Sequence, residues 1–324
     1  MRAVHVAEHG DPSVLATTTQ SRPDPGSGEI RIRVAVAGVN FADIAKRRGT
    51  YPGGPSPPYI PGIEVAGRVD ATGDGVALER GDRVMAYVLR GGYAESVVAS
   101  EERVRRVPDE LSLREAAGVP IQWLTAHNTL FEWGGLGGDE IVLVLAAAGG
   151  VGSAAVQLAG TQTDATVLGA ASTAEKRAFV SELGADETID YVDRDLTAAV
   201  DAATDGAGVD LVLDGVGGDA FEASLDALAP GGRVVTYGLA SGEVPCVSTP
   251  RLIFGNHSVV GYHLGHAADH DRQRVFGAFD PVLSALSAGD ASVQVDRVFD
   301  LDDAAAAHEH VENRRTRGKV LLEP

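Results

Sequence analysis

A chain of 324 residues, 44% hydrophobic and 23% charged, has an ordinary globular composition and is long enough for two domains. Its net charge of −19 disfavours nucleic acid and anionic membranes as partners, and a single cysteine, Cys246, excludes an intrachain disulfide or a cysteine-built zinc site. No apolar run reaches the roughly 18 residues of a membrane span, and the start, MRAVHVAEHG, lacks the apolar core of a signal peptide, so the chain reads as cytoplasmic. The acidity fits either a high-salt cytoplasm or a GC-rich genome. The only lysines are Lys46, Lys176 and Lys319; all other cations are arginines.

Residues 1 to about 107 read as strand-rich. Ile30 to Val36 alternates apolar and polar, the pattern of a half-buried strand, and Val65–Val69 and Asp82–Tyr87 continue it. The loop Tyr51–Tyr59 holds too many prolines for a helix or a central strand. Ser112 with Glu115 three residues on predicts a capping box and a helix start.

From about Gln122 to Val260 strands and helices alternate. Ile141–Leu145 is an unbroken apolar run, as a strand buried on both faces requires. Glycines follow at once, and then apolar residues at helical spacing. Gly150-x-Gly152-x-x-Ala155 fits a dinucleotide fingerprint. In that reading Gly150 permits the tight turn, Gly152 lets backbone approach a pyrophosphate, and Ala155 lets the helix sit close to the sheet. The helix N-terminus favours the negative charge. Further strands are predicted at Ala165–Ala170, Glu187–Tyr191, Val209–Asp214, Arg233–Tyr237 and Ser258–Tyr262, with a helix over Thr173–Leu183. This rhythm implies a doubly wound parallel sheet with its ligand at the carboxyl ends of the strands. The remainder predicts a helix near Val275–Ala288 and a strand at Gly318–Leu322 that returns to the first domain. His263, His266 and His270 have the spacing of a metal-binding helix or of a His-rich surface turn.

The position about 20 residues beyond the fingerprint reads Ala170-Ala171-Ser172, where an NAD-binding chain usually carries a carboxylate. Without that carboxylate there is room for a 2′-phosphate, which Ser172 can hydrogen-bond and Lys176 can neutralise. NADPH is therefore expected over NADH. The alternative is that Ser172 caps a helix and Lys176 is a solvated face residue.

Several motifs run through the chain: Gly38-Val39-Asn40-Phe41-Ala42-Asp43, Gly49-Thr50-Tyr51-Pro52, Pro61 to Gly67, Leu124-Thr125-Ala126, Ala147 to Gly152, and Gly318-Lys319-Val320. In content and order they resemble the medium-chain dehydrogenase/reductase superfamily, in its zinc-independent quinone oxidoreductase (zeta-crystallin-like) branch. The resemblance implies an α/β fold: a discontinuous, β-rich GroES-like catalytic domain, 1–121 and 264–324, around an inserted Rossmann domain, 122–263. A homodimer is also implied.

The zinc-dependent cousins carry a cysteine where this chain has Asn40, and a histidine where it has Ile63 before Glu64. No metal is expected. The same resemblance implies cofactor contacts from Thr125, Gly149, Gly150, Val151, Gly152, Tyr191, Gly215, Val216, Gly238, Leu239, Phe254, Asn256 and Lys319, besides Ser172 and Lys176. Asn40 and Tyr51 are the candidate catalytic donors. Tyr51 can also be an aromatic wall, and Asp43 is expected to anchor its loop.

Without a metal to polarise a simple ketone, the expected substrates are small quinones or α,β-unsaturated carbonyls, already electrophilic enough to accept a hydride. Two alternatives stand: an acyl-thioester enoyl reductase of the same superfamily, and a non-catalytic NADPH-binding, crystallin-like protein.

Overall fold

The computed structural model describes residues 1–192 and 194–324. These form two compact units, Met1–Gln122 with Ser292–Pro324, and Trp123–Ala291. The second boundary corrects the expected one: the return comes at Ser292, not at 264.

The outer unit opens with the hairpin β1 (Arg2–Val6) and β2 (Leu15–Thr19), then the long β3 (Glu29–Val39) and α1 (Phe41–Arg48). After the proline-rich loop come β4 (Glu64–Thr72), β5 (Arg83–Tyr87), β6 (Ser96–Ser100), β7 (Val104–Arg106) and the short α2 (Leu113–Ala116). Ser112 caps α2 and Glu115 reaches back to it, as the sequence predicts.

β3 extends past the alternating stretch. Its last four residues, Val36 to Val39, are all buried, because β4 and the C-terminal strand flank it. Alternation stops where no face meets water.

The inserted unit begins with α3 (Leu124–His127) and then β8 (Ile141–Val144), α4 (Gly150–Gln162), β9 (Thr166–Ala170), α5 (Ala174–Glu182), β10 (Glu187–Ile189), α6 (Leu196–Ala203) and β11 (Val209–Asp214). It continues with α7 (Gly218–Asp226), β12 (Leu228–Thr236), α8 (Thr249–Gly255), β13 (Ser258–Gly261), α9 (Leu264–His270), α10 (Arg272–Gly277) and α11 (Phe279–Ala288). The strand order is β10-β9-β8-β11-β12-β13, all pairs parallel, which is the doubly wound dinucleotide-binding order. β8 lies mid-sheet; Val142, Leu143 and Val144 are fully buried. The single helix expected at 275–288 is two, α10 and α11, meeting at Ala278.

Back in the outer unit, β14 (Val295–Asp300), α12 (Ala304–Glu312) and β15 (Lys319–Glu323) complete the chain. The outer sheet runs β14-β15-β3-β4-β5-β7, with β6 also pairing β3. β15 lies antiparallel to β3, so the predicted returning strand does rejoin the first domain. β14 and α12 carry too weak a periodicity to be anticipated.

No helix among the described residues is long and apolar enough to cross a membrane.

Candidate functional site

In the outer unit, Asn40 sits where β3 gives way to α1. Its amide is held at both ends: Nδ2 donates to Glu64 Oε1 at 2.8 Å, and Oδ1 accepts from Lys319 Nζ at 3.0 Å. Lys319 Nζ also donates to Val39 O at 3.0 Å and pairs with Glu64 Oε1. Glu64 Oε2 accepts the Ile121 N–H at 2.9 Å. Lys319, Glu64 and Asn40 are 1%, 0% and 5% exposed, so the pair is shielded from solvent and its hydrogen bonds carry their full electrostatic weight. Gly38 makes the packing possible: a Cβ there would lie 2.5 Å from Glu64 Oε1 and 2.6 Å from Lys319 Cε.

This corrects the expectation for Lys319. Its three N–H donors all go to the outer unit, to Val39, Asn40 and Glu64, and none is left for a cofactor. Its partner Glu64 was missed. The sequence signal was an acidic residue inside an apolar strand, but its partner lies 255 residues away.

Asp43, in the first turn of α1, is an anchor, as expected. It accepts from the backbone N–H groups of Asn40 at 3.0 Å and Gly62 at 3.3 Å, and from Tyr93 OH at 3.3 Å. Burial pushes its carboxyl up to about 6, against the pull of Lys46 and the Asn40 N–H. The Tyr93 hydroxyl lies 3.1 Å from Nε2 of the fully buried His308 on α12. Burial, with Arg47, pulls His308 down to about 3, so it stays neutral.

Tyr51 is half-buried in the loop after α1. The Lys46 ammonium lies 5.1 Å from its ring centroid. Burial first, then Tyr87 and Asp43, push its phenol up to about 12, which keeps the proton on the oxygen at neutral pH.

In the inserted unit the glycine turn joins β8 to α4 as predicted, with a different division of labour. The left-handed residue is Ala146, at φ 49, not Gly150, which already opens the helix. Gly152 is needed for its own chain: a Cβ would lie 2.5 Å from Ala146 O and 2.6 Å from Ala147 Cα. Gly149 is the N-cap and no side chain caps α4, so the first-turn N–H groups of Gly150, Val151 and Gly152 point out of the helix without a side-chain partner. Ala155 is fully buried.

Ser172 and Tyr191 each stand two residues beyond a paired position, Ala170 against Ile189, at the same end of the sheet. Thr173, not Ser172, caps α5, accepting from the Lys176 N–H at 3.2 Å. Ser172 therefore does not spend its hydroxyl on that cap, and Lys176 lies in the first turn next to it. Arg177, not singled out in the sequence, braces this end: it pairs with Asp190 at 2.7 Å and donates to Ala171 O at 3.4 Å.

Two loops meet at the ends of β11 and β12. Asp214 Oδ1 accepts from Val216 N at 2.8 Å and Gly217 N at 2.9 Å, and Oδ2 from Thr236 Oγ1 at 3.1 Å. Burial raises this carboxyl above its usual range, and the two backbone donors oppose the shift. Ala240 N and Ser241 N donate to Gly215 O and Val216 O. The structure thus gathers Gly215, Val216, Gly238 and Leu239. A Cβ on Gly215 would strike the Tyr237 ring at 2.8 Å.

Thr125 is 7% exposed on α3. Phe254 and Asn256 behave differently: Phe254 is 88% exposed, and Asn256 closes α8 in the left-handed conformation at φ 54. No hydrogen bond among the described residues ties either to the two loops.

The three histidines serve local structure. His263 caps α9 by accepting the His266 N–H at 2.9 Å, and the His266 and His270 rings stack at 4.2 Å. Among the described residues no group of three or more His, Cys, Asp or Glu side chains could hold a metal ion.

Two family descriptions match the chain: the alcohol dehydrogenase GroES-like domain over residues 26–109 and the zinc-binding dehydrogenase over residues 150–280. A quinone oxidoreductase of Pseudomonas aeruginosa is 36% identical, the match covering 100% of this chain and 99% of that protein. The crystal structure of Escherichia coli quinone oxidoreductase complexed with NADPH superposes with a TM-score of 0.94 at 32% identity, covering 100% of both chains. A mycobacterial structure complexed with NADPH does so with a TM-score of 0.94 at 36% identity, again over 100% of both. The chain belongs to the medium-chain dehydrogenase/reductase superfamily, in its zinc-independent quinone oxidoreductase-like branch.

Proposed function

We propose that this protein is an NADPH-dependent reductase of quinones or α,β-unsaturated carbonyls. The observation that carries the reading is the fixed Asn40 amide. Its oxygen is taken by Lys319 and one N–H by Glu64, leaving the second N–H as a preset donor for an acceptor oxygen. The uncapped first turn of α4 fits a pyrophosphate, and Ser172, Lys176 and Tyr191 fit the extra phosphate of NADPH.

When bound, NADPH supplies the hydride. Gly150, Val151 and Gly152 hold the cofactor through backbone N–H groups, beside Gly149, whose own N–H donates to Ala146 O at 2.8 Å; Thr125, Gly215, Val216, Gly238 and Leu239 orient its nicotinamide end. Asn40 stabilises the negative charge that builds on the conjugated oxygen. Tyr51, protonated at neutral pH, returns a proton to the reduced acceptor. NADPH oxidation followed at 340 nm with a quinone and an enone series tests this. Turnover with at least one class is expected; cofactor binding without turnover of either would favour a non-catalytic role.

We also infer a cytoplasmic homodimer built on β13. This edge strand pairs only with β12 among the described residues, and Ile253 and Phe254 beside it are 68% and 88% exposed. Light scattering should report twice the chain mass, and a monomer for Phe254→Glu.

A further inference from the structure

The last turn of α1 carries three cations in a row, Lys46, Arg47 and Arg48. Two of them share one counter-charge: Arg47 pairs with Glu312, and Arg48 Nη2 lies 2.9 Å from the same carboxylate. Lys46 differs. Among the described residues its ammonium has no hydrogen-bond acceptor and no carboxylate within 4 Å; its contact is the Tyr51 ring at 5.1 Å. Burial pulls its amine below the usual lysine range and Asp43 only partly restores it, as expected of a cation short of a close counter-charge.

A solvated helix-end cation would account for the exposed Arg48. It does not account for a half-buried ammonium in a chain of net charge −19, where acids are plentiful and none is placed against it. Lys46 instead borders a small cavity of about 60 Å³, shared with His9, Gly49, Tyr51, Gly54, Pro55 and Ser56. One water needs roughly 10–15 Å³, so a carboxylate-sized group has room.

We propose that Lys46 is a specificity-determining residue that selects acceptors whose conjugated system ends in a carboxylate. The proposal rests on the reductase reading and extends it to substrate class. The carboxylate lies against the Lys46 ammonium, on the cavity side of the Tyr51 ring, and so brings the neutral, conjugated part of the molecule next to the Tyr51 hydroxyl. The acidic surface repels anions at long range, so the preference is short-range and particular to this corner.

The test compares a matched pair of acceptors, 4-phenylbut-3-en-2-one and its para-carboxylate, in the wild type, Lys46→Met and Lys46→Arg. In the wild type, kcat/KM should favour the carboxylate. In Lys46→Met that preference should fall about tenfold, the scale of one charge-assisted hydrogen bond, and Lys46→Arg should retain most of it. A loop disturbed by the substitution would slow both acceptors alike and leave the ratio unmoved. Calorimetric titration with benzoate, which accepts no hydride, gives a readout independent of turnover: binding to the wild type, and at least tenfold weaker binding to Lys46→Met. An equal ratio in both proteins, or equal benzoate affinity, overturns the proposal. If neither acceptor is reduced, the reductase reading fails, and the benzoate titration still decides the role of Lys46.

Discussion

The outer unit makes its site from side chains: Asn40, Glu64 and Lys319 hold one another through charge, sealed from water at 5% exposure or less. The inserted unit makes most of its site from backbone: the N–H groups at the start of α4, and two loops tied by Asp214 to the ends of β11 and β12. The first kind of site is sensitive to the loss of one charge, since a buried ion without its partner has nothing to repay its desolvation. The second tolerates side-chain chemistry but not side-chain volume, because Gly152 and Gly238 lie against other backbone and Gly215 against the Tyr237 ring. The two units should therefore fail in different ways, and that contrast can be broken.

The largest effect is expected at Lys319. Replacing it by Met leaves the Glu64 carboxylate buried beside Asn40 without its cation, a loss of about 3–5 kcal/mol in urea denaturation. Adding Glu64→Gln to Lys319→Met should recover most of that stability but not the reductase activity, because Asn40 Oδ1 has lost the Lys319 donor that fixes its amide. A loss under about 1 kcal/mol for the single variant would show that the charges do not hold the site.

Next comes a pH signature confined to the outer unit. Asp43, raised to about 6, adds stability that is full below its ordinary value of 3.8 and lost as pH rises towards 6. His308, lowered to about 3, does the reverse: its contribution is full above 6.5 and lost as pH falls. Between pH 4 and 6 the two slopes oppose each other at about 1.4 kcal/mol per pH unit each. Asp43→Asn should make stability climb more steeply with pH than in the wild type, and His308→Gln should make it fall; parallel curves for all three proteins would contradict the burial of both groups.

In the inserted unit the sharper test is volume. Gly152→Ala puts a Cβ 2.5 Å from Ala146 O, so the turn must move. A loss of about 1–3 kcal/mol is expected, and NADPH affinity, followed by protein fluorescence, should drop more than tenfold. Gly160→Ala is the control in the same helix: its Cβ would come no closer than 3.6 Å to anything, and a gain of about 0.5–1 kcal/mol is expected. If the two substitutions act alike, the turn is not the constraint.

The smallest effect is the most selective. Lys176→Ala should raise the NADPH Kd about tenfold and leave NADH within about twofold, as expected for one half-buried charge on one phosphate. Equal losses would remove the phosphate reading while leaving the backbone site intact.

What could be read from the sequence divides along the same line. The strand-turn-helix around Gly150 and Gly152 was legible because its determinants are local: an apolar run, glycines, then helical spacing. The outer strands were legible where one face is wet, as in Ile30–Val36, and lost where both faces are covered. The support beneath Asn40 was not legible, because it joins residue 40 to residues 64 and 319, and an ion pair leaves no periodicity. The tight turn is expected at Gly150, but the structure makes it with Ala146 at φ 49 and has Gly152 packed against the Ala146 and Ala147 backbone. The boundary near residue 264 was missed because α9 to α11 look, by pattern, like any terminal helices; only their packing assigns them to the inserted unit.

The position of β15 carries one more consequence. It follows every other described strand and brings Lys319 with it, so a nascent chain has made all of the inserted unit before the outer unit can close. Until then Glu64 and Asn40 lack their cation, and the donor that would face an acceptor has no fixed aim. During synthesis the inserted unit can therefore form before the buried charge cluster of the outer unit is complete.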